Sequence, residues 1–264
     1  MNKTCMKLVC TLIMFIVLAG CEKTVEKGNS SLATDPLADK VTLPPEFASM
    51  AIEKAGGLDA WGKVRQLQLD CIVTFYDENA GYYLTDQKYD IFPWSNSIVI
   101  SGTESQKSYK WQLSQGKFDI LKGIGQIDSF KNQMQSNCFA EAILNLVTAP
   151  VRFMDKSFVY NRDTNEINIQ GKWCYPITRK RISDSNSDVS KNETVFYQNR
   201  AASLVDMILL DCTSQAESFL VCGYDYTEIK NVGISIPYRI EIHLADKNGM
   251  ATRQLFRIDV SSAK

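Results

Sequence analysis

Ile234-Ser235-Ile236-Pro237-Tyr238-Arg239-Ile240-Glu241-Ile242-His243-Leu244 alternates without a break. Ile234, Ile236, Tyr238, Ile240, Ile242 and Leu244 hold every even position, while Ser235, Arg239, Glu241 and His243 stand opposite. A period of two sustained this long is the mark of an antiparallel strand with one face buried and one face wet. Working outward, residues 66–76 repeat the pattern, with Leu67, Leu69, Cys71, Val73 and Phe75 on one face. Further period-two segments run over 83–91, 97–102, 108–113, 117–121, 157–160, 166–173, 175–182, 194–198, 202–210, 219–229 and 252–260, separated by turn residues such as Ser114-Gln115-Gly116.

Two segments break this period. Glu46 to Ala55 places Phe47, Met50, Ala51 and Lys54 at helical spacing and ends at Gly56-Gly57, where a left-handed residue stops a helix. A short turn over 58–64 then carries Trp61, which is expected to clamp that helix onto the sheet. Later, Met134, Cys138, Phe139, Ala142, Ile143, Leu146 and Val147 recur at steps of three and four up to Pro150, an amphipathic helix inserted into the sheet. So many strands with so little helix exceed what a flat open sheet supports, so the expected fold is mainly β (α+β): a strongly curved antiparallel sheet wrapping its apolar concave face around the inserted helix.

The N-terminus sets the compartment. Lys3 and Lys7 precede an apolar run from Leu8 to Leu18, too short for a bilayer span of about 20 residues but suited to a signal peptide. Leu18-Ala19-Gly20-Cys21 resembles the lipobox of bacterial lipoprotein precursors, which implies removal of residues 1–20 and lipidation of Cys21. Glu22 follows where an Asp would favour inner-membrane retention, so the expected location is the outer membrane, facing the periplasm. Residues 21–45, polar and ending in Pro44-Pro45, read as a flexible tether before an ordered domain over 46–264.

The 264 residues are 45% hydrophobic and 22% charged, an ordinary globular composition. Without Lys3 and Lys7, 27 basic residues face 30 acidic ones, with no basic stripe of the kind nucleic acid requires. Five cysteines follow Cys21, of which Cys212 and Cys222 are placed to face each other across a hairpin, or else to remain buried thiols. No CxxC or Cys/His cluster suggests a metal, no cofactor motif occurs, and GxSxG, HExxH, Walker and dinucleotide signatures are missing. The sole histidine, His243, alternates onto the polar side of its strand beside Glu241 and reads as a surface residue, not a general base. Ser183 to Asn192 reads as an exposed, mobile polar loop.

The run from Ala51 to Trp61, leading into a strand, resembles the N-terminal element of bacterial Lol-type (LolA/LolB-like) lipoprotein carriers and receptors, and Gly233 to Ile240 is similar to a strand near their C-terminus. The resemblance implies an unclosed half-barrel with an N-terminal helix and an inserted helical lid, whose hollow accepts acyl chains of a lipid or lipoprotein, in transport or sorting. It also implies a lid-locking arginine, which neither patch locates, and a protruding apolar loop, where Ser183 to Asn192 is polar instead. Phe75, Tyr89, Trp111, Trp173, Tyr238, Ile240, Ile242 and Phe256, on inward strand phases, and Phe139, Ile143 and Leu146, on the lid, are the residues that either pack the core or line such a hollow. The alternative is a non-catalytic envelope scaffold that binds a protein partner and no lipid.

Replacement of Cys21 by alanine is expected to abolish incorporation of labelled palmitate and to move the protein from the detergent-rich to the aqueous phase in a detergent partition assay. Unchanged labelling would remove the anchor.

Overall fold

The computed structural model describes residues 45–79, 81–104, 106–123, 134–182, 194–212 and 217–264. The signal segment, Cys21, the tether up to residue 44 and the Ser183–Asn192 loop lie outside the described residues. Two short helices, α1 (Glu46–Lys54) and α2 (Leu58–Lys63), lead into one antiparallel sheet. Its first five strands are β1 (Leu67–Tyr76), β2 (Tyr82–Phe92), β3 (Ser97–Glu104), β4 (Lys107–Ser114) and β5 (Lys117–Lys122). Helices α3 (Ser136–Val147) and α4 (Ala149–Arg152) follow. The remaining strands are β6 (Phe158–Arg162), β7 (Ile167–Ile169), β8 (Lys172–Arg181), β9 (Thr194–Asn199), β10 (Val205–Asp211), β11 (Ser218–Ile229), β12 (Ile234–Ala245) and β13 (Ala251–Ala263).

The strand order is β5-β4-β3-β2-β1-β13-β12-β11-β10-β9-β8-β6, with β7 on β8, so β5 and β6 are free edges and the sheet is not closed into a barrel. Its two halves are joined where β1 meets β13, from Leu69 opposite Ala263 to Phe75 opposite Phe256. Helix α3 touches β3 and β4 on one side and β10, β11 and β12 on the other. Seven strand spacings separate β4 from β10, about 34 Å in a flat sheet, whereas a helix with side chains is about 10 Å across. The sheet must therefore wrap around α3. Register shifts at Asp70/Cys71, Lys110/Trp111 and Ile242/His243 supply local bends.

The alternation of β12 is realised as read: Ile234, Ile236, Ile240 and Ile242 are buried, while Tyr238 and Leu244 pack partly buried against the same core. The two patches that carry the sequence resemblance touch. The amide of Ser235 donates to the carbonyl of Ala55 (2.9 Å), and the indole Nε1 of the fully buried Trp61 donates to the same oxygen (3.0 Å). Gly56, at φ 114°, lies so close to Gly233 and Ile234 that a Cβ would collide with their backbone. The indole of Trp94, in the β2–β3 turn, donates to the carbonyl of Trp61 (3.1 Å), which fixes α2 to the sheet.

Two expectations are corrected. Helix α1 buries Ala48, Ala51 and Ile52, its main neighbour being helix α4, and Met50 is exposed. Trp173 is not buried in the core. The expected strand over 166–173 is a hairpin whose turn residues Gln170 and Gly171 both have positive φ, as a two-residue type I′ turn requires. Trp173 stands opposite Asn168 at the start of β8, in phase with Ile177 and Arg179 but 54% exposed, while Cys174 opposite Ile167 is buried on the other face. Cys174 belongs to a second, smaller core with Ile169, Tyr197, Met207, Leu220 and Cys222.

Gly56→Ala is expected to cost about 2 kcal/mol or more, combining a left-handed backbone with a collision that cannot relax through a side chain. Urea unfolding followed by tryptophan fluorescence measures it. A loss below about 0.5 kcal/mol would show that the docking of α1 on β12 is dispensable.

Candidate functional site

Helix α3 buries ten of its twelve residues, leaving Asn137 and Glu141 outside, and a helix buried on nearly all sides is surrounded by its own protein. Phe139, Ile143 and Leu146 are each at most 1% exposed and share one core with Phe75, Tyr89, Trp111, Ile240, Ile242 and Phe256. Tyr238 packs against that core, so of the residues singled out on the strands and lid only Trp173 falls outside it. A chain of rings runs from the helix into the first half of the sheet: Phe139 to Phe256 (centroids 5.1 Å), Phe256 to Phe75 (5.3 Å), and Phe75 stacked on Tyr83 (4.9 Å). The concave face is thus apolar and filled by α3.

Three polar or covalent ties hold the helix there, and none was located by sequence reading. Arg179 of β8, 7% exposed, donates through Nη1 to Asn145 Oδ1 (3.0 Å) and through Nη2 to Thr194 Oγ1 (2.8 Å), with Glu141 Oε1 at 3.4 Å. Its guanidinium also lies over the ring of Phe158, 4.7 Å from the centroid. Arg152, 3% exposed, donates from Nε to Thr148 Oγ1 (2.8 Å) and from Nη2 to the carbonyl of Pro93 (2.8 Å). Burial pulls its guanidinium down to about 10, which leaves it charged at neutral pH. The third tie is a disulfide between Cys138 in α3 and Cys212 after β10, with Cα atoms 6.0 Å apart.

That disulfide replaces the pairing considered for Cys212 and Cys222. Cys212 belongs to the core around α3 with Ile208 and Leu210, whereas Cys222, opposite Met207, belongs to the second core on the other face of the strands. Burial pushes the thiols of Cys174 and Cys222 up to about 11 and about 12, so both stay protonated and unreactive. His243 is half-buried, with Nε2 3.3 Å from Glu241 Oε2; burial lowers its affinity for a proton, opposed by that carboxylate. No cluster of His, Cys, Asp or Glu able to hold a metal occurs among the described residues, and no helix among them is long and apolar enough to cross a membrane.

A groove of about 1090 Å³ opens in the first half of the sheet, lined by Tyr83, Thr85, Gln87, Glu104 and Tyr109 among others. It arises because β2 and β3 part company: their pairing ends at Gln87 opposite Gly102, although β2 continues on β1 to Tyr82 and β3 continues on β4 to Glu104.

No protein-family model matches the chain, and no curated protein matches it. Solved structures similar to it include a LolA superfamily protein from Nitrosomonas europaea (12% identity, TM-score 0.47, covering 84% of this chain and 94% of that one). Another is a DUF1329 family protein from Desulfovibrio piger (13%, 0.46, 83% and 91%), and a third is an outer-membrane lipoprotein-sorting protein domain from Vibrio parahaemolyticus (7%, 0.43, 82% and 92%).

Arg179→Met would leave Asn145 Oδ1 and Thr194 Oγ1 buried without their donor, at an expected cost of about 2–3 kcal/mol in urea unfolding. Adding Asn145→Leu should recover part of that loss, because the orphaned amide is then gone. Strict additivity of the two substitutions would refute the tie. Replacing Cys138 and Cys212 together by serine should cost a further 3–4 kcal/mol or so, given the long loop that the disulfide closes.

Proposed function

We propose that the protein is a non-enzymatic envelope lipoprotein, anchored through lipidated Cys21, that accepts acyl chains of a lipid or lipoprotein in the hollow occupied by α3. The observation that carries this reading is the way the hollow is covered. Instead of a second sheet, one helix, inserted between the two edge strands β5 and β6, fills the apolar concave face. Such a helix and an acyl chain compete for the same surface, and the displaced state exposes Phe75, Trp111, Ile240, Ile242 and Phe256 to a ligand that matches them in polarity. Transport or sorting of lipid at the outer membrane is the task that fits an anchored protein of this kind.

The complete burial of Phe139, Ile143 and Leu146 favours a second reading, a shut core serving a non-catalytic scaffold that binds another envelope protein. Lipid extraction separates the two. The Cys21→Ser protein, exported and purified without detergent, is expected to release acyl lipid on organic extraction, detected by mass spectrometry, and to bind a fluorescent fatty acid more readily once Cys138 and Cys212 are reduced. A protein free of lipid that binds no fatty acid, oxidised or reduced, is a scaffold.

A further inference from the structure

We infer that the groove between β2 and β3 is a headgroup site, which takes a neutral, hydroxyl-rich polar head while the acyl chains of the same ligand lie under α3. The inference rests on the acyl-binding reading and adds to it the class of lipid.

Position gives the first argument. Phe75 and Tyr83 are direct partners across β1 and β2 and stack nearly parallel, 7° apart. Phe75 belongs to the core around α3, whereas Tyr83 lines the groove, so the hollow and the groove are separated by a single ring stack. On β4, Tyr109 stacks on the buried Trp111 (4.5 Å) and lines the groove, with its hydroxyl buried against Gly102. Gly102 makes room for that hydroxyl, since a Cβ there would overlap it.

The second argument is the polar content. Gln87, 4% exposed, accepts the Tyr89 hydroxyl on Oε1 (2.8 Å). Its Nε2 and the 1%-exposed Tyr109 hydroxyl interact with each other and have no further hydrogen-bond partner among the described residues. Two hydrogen-bonding groups buried side by side with capacity to spare, in the wall of a groove, call for a ligand that both donates and accepts. Thr85 bridges the gap by donating to the carbonyl of Thr103 (3.1 Å), and Tyr83 donates to Glu104 Oε1 (3.0 Å).

The third argument is charge. Asp70, Asp86 and Glu104 are balanced by Lys88, Lys110 and Lys122, and no arginine lines the groove among the described residues. A phosphate would meet as many carboxylates as ammonium groups, without a guanidinium fork to hold it. A sugar or polyol head matches instead, with hydroxyls for the amide and phenols and ring faces for Tyr83 and Tyr109.

The test uses the mature chain with Cys21→Ser, its disulfide reduced, loaded with a fluorescent fatty acid and titrated with two lipids of identical acyl chains, glucosyl dioleoylglycerol and dioleoyl phosphatidic acid. The glucosyl lipid is expected to displace the probe at a concentration at least tenfold lower. Gln87→Leu, and independently the half-exposed Tyr83→Phe should Gln87→Leu fail to fold, is expected to bring the two lipids within about threefold while leaving fatty-acid affinity unchanged. Equal displacement by the two lipids, or a preference untouched by the variants, overturns the headgroup site alone. Failure of the fatty acid to bind at all overturns the acyl-binding reading and this site with it.

Discussion

An apolar concave face that spans most of a 13-stranded sheet has to be covered, and in this protein α3 does most of it, joined in the same core by residues of α1, α2 and α4. The rest of the architecture follows from that constraint. The sheet must bend until β4 and β10 both reach α3, so it carries register shifts where the bend is concentrated. It also stays open, and in chain order α3 lies between its two edge strands, β5 and β6. A sandwich divides its core between two sheets; here the burden falls on twelve residues that include Phe139, Ile143 and Leu146.

The helix is held by interactions of unequal kinds. Apolar burial is non-directional and can be matched by any greasy substitute. The bonds of Arg179 to Asn145 and Thr194 are directional, and an acyl chain cannot reproduce them. The Cys138–Cys212 bond is covalent and specific to this chain's own register. On the proposed acyl-binding reading, a guest would replace what Phe139 and Ile143 contribute to the hollow, and the polar and covalent ties would set how readily the helix leaves.

Periodicity made much of this legible. β1 and β12 alternate so regularly that their buried faces follow from residue parity, and the three-and-four steps from Cys138 to Val147 identify α3 and its inward residues. Parity assigns a side chain to a face without burying it. Trp173 shares the phase of Ile177 and Arg179, but it lies at the start of β8 beside the Gln170-Gly171 turn and is 54% exposed. The disulfide was illegible for a different reason: Cys138 and Cys212 are 74 residues apart, and their meeting depends on which strand α3 lies beside. Arg179 left a signal, since it shares the parity of the buried Ile177 and a charge in phase with core residues marks a buried contact. The groove left none, because the point at which β2 and β3 separate depends on partner strands.

The centre of the sheet is built from its first and last strands. Ser261 and Ser262 donate their hydroxyls to Asp70, from 191 and 192 residues away. Few pairings in a chain of this length are more remote, and closing such distances slows the search for the native state. The two halves cannot be joined until β13 has been made. Until then the facing edges of β1 and β12 stand unpartnered, and loss of β13 would leave two unjoined meanders prone to aggregate.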